Sequence, residues 1–191
     1  MDHLSDAELI RKAQNNHHES SHSQEAVSEL YDRHHGRIFR YLLVRMNDVH
    51  QAEDLTGEVF IRMLNALSDY EERAIPFEAW LYRIARNLLI DNYRKENVKQ
   101  IIPIDDIVNY PSGDDLDAKI DEKWSLEAIR LALNEIEPSQ REVIELRFLV
   151  GLPMQEVALI LEKTVAAVKA LQHRGLNNLR TVIEEVETRS L

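Results

Sequence analysis

Trp80, Arg83, Asn87 and Arg94 stand at i, i+3, i+7 and i+14, with Lys95 beside the last of them. In a helix that spacing projects them along one stripe. An aromatic ring next to guanidinium and amide groups suits unstacked bases and a charged backbone, the chemistry of single-stranded nucleic-acid recognition. A polar stripe is costly to bury, so this one belongs on a surface or against a partner. The same residues admit a plainer arrangement, with Trp80 in the core and the arginines paired with Glu78 or Asp91. A second set lies near the C-terminus: Lys169, His173, Asn177 and Arg180 fall on one side of a helical projection. Val165, Val168, Leu176 and Leu179 fall on the other, taking roughly 100° per residue. Cations and amides suit phosphates and base edges, and small Ala166 and Ala170 let a helix sit deep in a groove. An ordinary solvated face on a bundle helix has the same spacing.

Neither set is a catalytic constellation. No glycine-rich phosphate loop and no GxSxG elbow is present, and Ser and His occur without a signalled nucleophile–base pair, so no catalytic residue is expected and the chain reads as a non-enzyme. The chain has no Cys, which removes disulfides, thiolate zinc sites and a cysteine nucleophile. His17, His18 and His22 occur in a polar stretch without rigid spacing, and His34, His35 and His50 read as surface residues; no metal and no cofactor is expected.

The elements that must hold these residues read as helices. The chain has 191 residues, only five Gly and five Pro, and 44% hydrophobic residues, enough for one or two helical cores. SDAELIRKAQ (5–14) opens with a capping box, Ser5 to Glu8, and NNHHESSHSQ (15–24) reads as a loop. Helical periodicity then covers 25–46, and again 51–67, where the acids are placed in the first turn and Leu55, Val59, Met63 and Leu67 share a face. A loop at 68–76 leads to Pro76, which can begin a third long helix ending near Lys95. Residues 97–124 lose all periodicity and read as an acidic tether, with seven acids against two cations in 101–125. Helices resume at 125–136 and after Pro138, with Gly151 as a C-cap. A short helix at 154–161, a three-residue turn and a Thr164-capped helix to about Val186 form a helix-turn-helix candidate. The fold expected is all-α: an N-terminal helical bundle (1–96) and a C-terminal helix-turn-helix domain (125–191), joined by a flexible acidic linker.

The net charge is −11, yet 163–180 holds Lys163, Lys169, Arg174 and Arg180 with no acid, so two basic patches flank an acidic strip. MDHLSDAELI lacks the basic start and apolar core of a signal peptide, and no apolar run approaches a membrane span; a cytoplasmic protein without membrane insertion is expected.

Both halves together resemble the bacterial sigma-70 family of RNA polymerase initiation factors, in its two-domain extracytoplasmic-function (ECF) group. AEDLTGEVFIRML (52–64) is similar to the family's clamp-binding segment, and FEAWLYRIARNLLIDNYRK (77–95) to its −10 promoter-element helix. PSQREVIELRFLVGLPMQEVALILEKTVAAVKALQHRGLNNLR (138–180) is similar to its −35-reading domain. The resemblance implies that Asp54, Leu55, Glu58 and Arg62 dock on the clamp of core RNA polymerase. It implies that Trp80, Arg83, Asn87, Arg94 and Lys95 face the −10 element, with the 69–76 loop helping to hold a flipped base. Lys169, His173, Arg174 and Asn177 would meet the −35 major groove, Arg174 lying nearer phosphate. Core polymerase (clamp and flap) and promoter DNA are the implied partners, and the two-domain form adds an anti-sigma protein as a candidate. A stand-alone helix-turn-helix regulator is the alternative, and it leaves the 52–95 motifs without a role. Three departures from the family pattern stand out: Glu162 where the turn often has Gly, Pro153 where a hydroxyl usually caps, and Gly175 inside the recognition helix.

Overall fold

Ser5 and Glu8 start the first helix as a capping box should: the Ser5 amide and hydroxyl donate to Glu8 Oε2 (2.8 and 2.7 Å) and the Glu8 amide returns to Ser5 Oγ (3.4 Å). A computed structural model of the chain describes residues 4–15, 21–46, 48–96 and 131–189. These fall into two compact units, one within Met1–Val108 and the other within Asn109–Leu191. The fold is all-α, with no strand among the described residues. The linker expected at 97–124 lies outside them, as do His17 and His18.

The described residues of the N-terminal unit form four helices, α1 (Asp6–Asn15), α2 (Ser21–Met46), α3 (Val49–Ala66) and α4 (Phe77–Glu96). A 3-10 turn, Leu67–Asp69, and an extended loop join the last two. Leu9, Leu30, Ile38, Leu42, Val59 and Met63 are buried, as are Leu81, Ala85, Leu88 and Leu89 of α4. Their spacing is the 3.6-residue period read from the sequence.

Three local readings are corrected. Residues 21–24, expected in a loop, already belong to α2; the buried Ser23 hydroxyl donates to the Ala13 carbonyl (3.2 Å) and so satisfies itself at the end of α1. Helix α3 begins two residues earlier than expected, because Asp48 caps it by accepting from the Gln51 amide (3.1 Å). Its first turn therefore carries no acid. His34, expected at the surface, is buried, with Nε2 2.7 Å from Asp6 Oδ2 and its ring edge-on to Phe77 at 5.4 Å. Asp6 also takes Arg33 Nη1 at 2.9 Å, so one carboxylate of α1 satisfies two cationic or polar groups of α2.

In the C-terminal unit residues 131–134 are helical, followed by α5 (Pro138–Ile144), α6 (Met154–Leu161) and α7 (Val165–Arg189). Helix α5 runs on into a π-helical turn, Glu145–Leu149, closed by the Val150 amide donating to the Glu145 carbonyl (3.0 Å). Gly151 follows at φ 86°, the left-handed geometry glycine supplies without strain. Leu133, Ile136 and Ile144 form a core cluster against which Leu149, Leu179 and Val182 pack.

Pro138 occupies the first turn of α5, and Glu137 caps it by accepting from the amides of Ser139 (3.1 Å) and Gln140 (3.2 Å). The Ser139 hydroxyl, then these amides, hold the Glu137 carboxyl below the usual carboxylate range. The folded state therefore prefers the ionised form. Its contribution to stability is present above the unfolded carboxylate range and is lost as pH falls through the lower folded value. Thermal melting over an acidic pH series should show the unaltered chain losing more of its C-terminal-unit stability than Glu137→Gln, which keeps an acceptor but cannot titrate. Superimposable acid limbs would refute that role for the cap.

Candidate nucleic-acid interface

Helix α4 carries the first candidate stripe, and packing divides it. Trp80 is 8% exposed, its ring tilted on Tyr70 (centroids 4.6 Å apart) and close to Phe77 (5.8 Å). Arg83 is half-buried, while Asn87 and Arg94 are exposed. Lys95 lies in the last turn of the helix, beyond the side chains described. The stripe expected to run outward from Trp80 thus starts in the core and emerges one turn later. Glu78 is engaged by Arg37 of α2 (2.8 Å), a partner from another helix rather than its own.

Trp80 instead braces the loop ahead of α4. The Tyr70 hydroxyl donates to the Ile75 carbonyl (2.8 Å), spanning the loop from one end to the other, and Tyr70 meets Phe77 edge-on at 5.7 Å. Burial, then the charges of Glu72 and Asp6, raise the Tyr70 phenol above its ordinary value, so it stays a donor. Between these anchors Glu71, Glu72, Arg73 and Ala74 are exposed. Sequence reasoning missed this aromatic staple; Tyr70, Phe77 and Trp80 at i, i+7 and i+10 across a loop were its only signal.

On α3, Asp54 and Arg62 are exposed and Leu55 and Glu58 half-buried, all four on one side. Arg62 Nε lies 2.9 Å from Glu58 Oε1, an exposed i,i+4 pair that a partner can exchange at little cost. Ile61, 54% exposed beside them, adds apolar surface that the motif reading did not single out.

In the C-terminal unit α6, a turn and α7 form the helix-turn-helix. Glu162 takes the left-handed conformation (φ 54°) expected of a residue standing where glycine is common, and Pro153 starts α6 with no side-chain cap. Thr164 Oγ1 accepts from the Ala167 amide (3.2 Å) and caps α7. Lys169, His173, Arg174 and Asn177 are all exposed, as are Ala166 and Ala170. Lys169 and His173 fall in the first half of α7, and the helical rise puts Asn177 about 12 Å farther along than Lys169. Asn177 Nδ2 approaches His173 Nδ1 (3.4 Å), and Arg180 pairs with Glu184 (2.8 Å).

The buried side of α7 differs from the expected one. Val165 and Leu176 are exposed, while Val168, Leu171 and Gly175 are buried and Leu179 and Val182 pack on the core. The true period is 168, 171, 175, 179, 182. Gly175, expected only to weaken the helix, lies at a close approach of α7 to α5: a Cβ there would lie 2.8 Å from Ile144 Cδ1 and 3.1 Å from Gln140 Cβ. Gln140 Oε1 accepts from Asn178 Nδ2 at the same crossing (2.8 Å). Arg147 adds a second brace, donating to the Leu152 carbonyl and, at 3.3 Å, to Gln172 of α7. Together these contacts set how far the exposed stripe of α7 stands from the body of its unit.

Among the described residues no group of His, Cys, Asp or Glu could hold a metal ion, and no helix is long and apolar enough to cross a membrane.

Against known proteins, residues 30–98 match the family model for sigma-70 region 2 and residues 126–179 that for sigma-70 region 4. The chain is 35% identical to the ECF RNA polymerase sigma factor SigX of Bacillus subtilis, over 84% of this chain and 85% of SigX. It is 29% identical to the ECF RNA polymerase sigma factor BldN of Streptomyces coelicolor, over 93% of this chain, which spans about two thirds (66%) of BldN. Among solved structures it is similar to CnrH in complex with the cytosolic domain of CnrY, with TM-score 0.69 at 22% identity, covering 93% of this chain and 96% of that one. The sigma factor RpoE with the anti-sigma factor NepR from Bartonella quintana gives TM-score 0.67 at 19% identity, covering 82% and 96%. At those identities the two structures speak for the fold.

Proposed function

Because this chain belongs to the sigma-70 family, in its ECF group, we propose that it binds core RNA polymerase and directs it to promoters from the bacterial cytoplasm, without enzymatic activity of its own. The observation that carries this reading is the presence, in one chain and in order, of both family segments, each presenting an exposed face of cations and amides. Asp54, Leu55, Glu58 and Arg62 dock on the polymerase clamp. Arg83, Asn87, Arg94 and Lys95 face the −10 element, with Trp80 acting through the 70–76 loop that it braces. Lys169 and His173 read the −35 major groove from the first half of the recognition helix, where base contacts are made. Arg174 and Asn177 sit where phosphate contacts are expected. The N-terminal domain, 1–96, then carries region 2, whose match runs on to residue 98, and 125–191 carries region 4, with an acidic linker from about 97 to 124 between them.

Net acidity fits this division of labour. A chain at −11 gains little from the phosphate-driven affinity that pulls basic proteins onto any duplex, so the polymerase supplies that term and the sigma factor supplies selection. An anti-sigma protein is a further partner, as NepR is for RpoE.

Run-off transcription with core enzyme on genomic promoter fragments tests the reading; no stimulation from any fragment would sink it. Tight specific DNA binding without polymerase would favour the stand-alone regulator instead. Within the reading, Lys169→Ala should weaken −35 binding by the holoenzyme and lower the slope of log affinity against log salt by about one. An unchanged slope in a salt titration would place Lys169 off the DNA.

A further inference from the structure

Helix α1 lies ahead of residue 30, where the match to region 2 begins, and none of the residues assigned above to polymerase docking or DNA reading belongs to it. It is nonetheless fastened at both ends. Asp6 holds Arg33 and His34 of α2, Leu9, Ile10 and Ala13 are buried, and Ser23 closes on the Ala13 carbonyl. The next residue reaches elsewhere. Gln14 Nε2 donates to the carbonyls of both Leu67 (2.8 Å) and Tyr70 (3.0 Å), the two ends of the turn that opens the 70–76 loop. Two carbonyl partners fix the amide's orientation, since only the NH2 group has hydrogens to give and it has two. Tyr70 is the residue that spans that loop to Ile75 and stacks on Trp80. A continuous set of contacts therefore runs from α1 through Gln14 and Tyr70 to the far end of the loop.

We propose that α1 sets the position of the 70–76 loop and that Gln14 is its positioning residue, so that capture of the −10 base depends on a helix outside the region 2 segment. The inference rests on the reading of that loop as a DNA contact. Gln14 touches no DNA. It holds two carbonyls at the turn from which Tyr70 leaves, and between the buried anchors Tyr70 and Ile75 the residues 71–74 are exposed.

The test uses the full chain with Trp124→Phe, which leaves Trp80 as the single tryptophan. Gln14→Glu keeps the size but presents acceptors to two carbonyls; Gln14→Lys keeps a donor that reaches them. Two signals are read: acrylamide quenching of Trp80, and permanganate-detected opening of a pool of genomic upstream fragments with core polymerase. Gln14→Glu should quench more and open DNA about tenfold less, the size expected for losing two ordinary hydrogen bonds. Core affinity should be unchanged, and Gln14→Lys should behave as the parent. A purely structural role would instead lower melting temperature and core affinity together, without rescue by lysine, and would overturn the proposal. Equal quenching in all three chains overturns it whether or not promoters open. Altered quenching rescued by lysine, with no opening by the parent chain, upholds the coupling and removes the DNA-contact reading instead.

Discussion

A Trp80→Ala chain should lose about 3–5 kcal/mol of N-terminal-unit stability, the usual cost of deleting a large buried aromatic. The ring is 8% exposed and packs on Tyr70 and Phe77, so its removal leaves a cavity under the loop and frees Tyr70 from its stack. A domain of this size has about 5–15 kcal/mol in total, and the loss should show as a large fall in melting temperature before any DNA is added. Trp80→Phe separates support from direct base contact. It keeps most of the packing, so the melting temperature and promoter opening should both stay near the parent values. A Phe chain that melts normally but no longer opens promoters would mean that the indole itself meets the base.

The second large effect is expected at Gly175. Valine there gains a little helix propensity, but its Cβ alone would stand 2.8 Å from Ile144 Cδ1 and 3.1 Å from Gln140 Cβ, with two further methyl groups to place. Ile144 is 4% exposed inside the core cluster, so its terminal methyl must shift within packed surroundings, and Gln140 Cβ is tied to the backbone of α5. Overpacking of this kind costs typically about 1–3 kcal/mol. The Gln140–Asn178 hydrogen bond at the crossing should go with it. Gly175→Val should therefore melt the C-terminal unit early and reduce −35 binding, while the isolated signal of the N-terminal unit is unmoved. Binding lost with a normal melt would instead mean that Gly175 is needed for close approach to DNA.

Legibility in the sequence varies with the physics involved. Long periodic helices are legible because burial on one face imposes a period: α3 and α4 lie within a few residues of their expected bounds, and Leu81, Ala85, Leu88 and Leu89 are all buried as their spacing implies. Caps are legible where side-chain chemistry is local, as at Ser5, Pro138 and Thr164. Contacts between distant segments are not. His34 looks like any surface histidine until Asp6 is placed 2.7 Å away, and Gln14 carries no mark of the turn 53 residues later. The face of α7 is misread because Leu176 and Val165 are apolar yet exposed, while a glycine occupies a buried place with no room for a Cβ. A hydrophobicity pattern counts side chains and is blind to a position selected for lacking one.

The π turn at Glu145–Leu149 has a consequence for descent as well as for shape. Geometrically such a turn is an α-helix carrying one surplus residue, which the continuation of α5 accommodates locally. Loss of one residue here would restore a regular helix and leave the phase of α7 intact, because Gly151 and the loop after it separate the two. The same loss within α7 would turn every later side chain by roughly 100° and carry its DNA-facing stripe out of register. Length variation among descendants of this chain should therefore gather at 145–149 and be purged from 165–180.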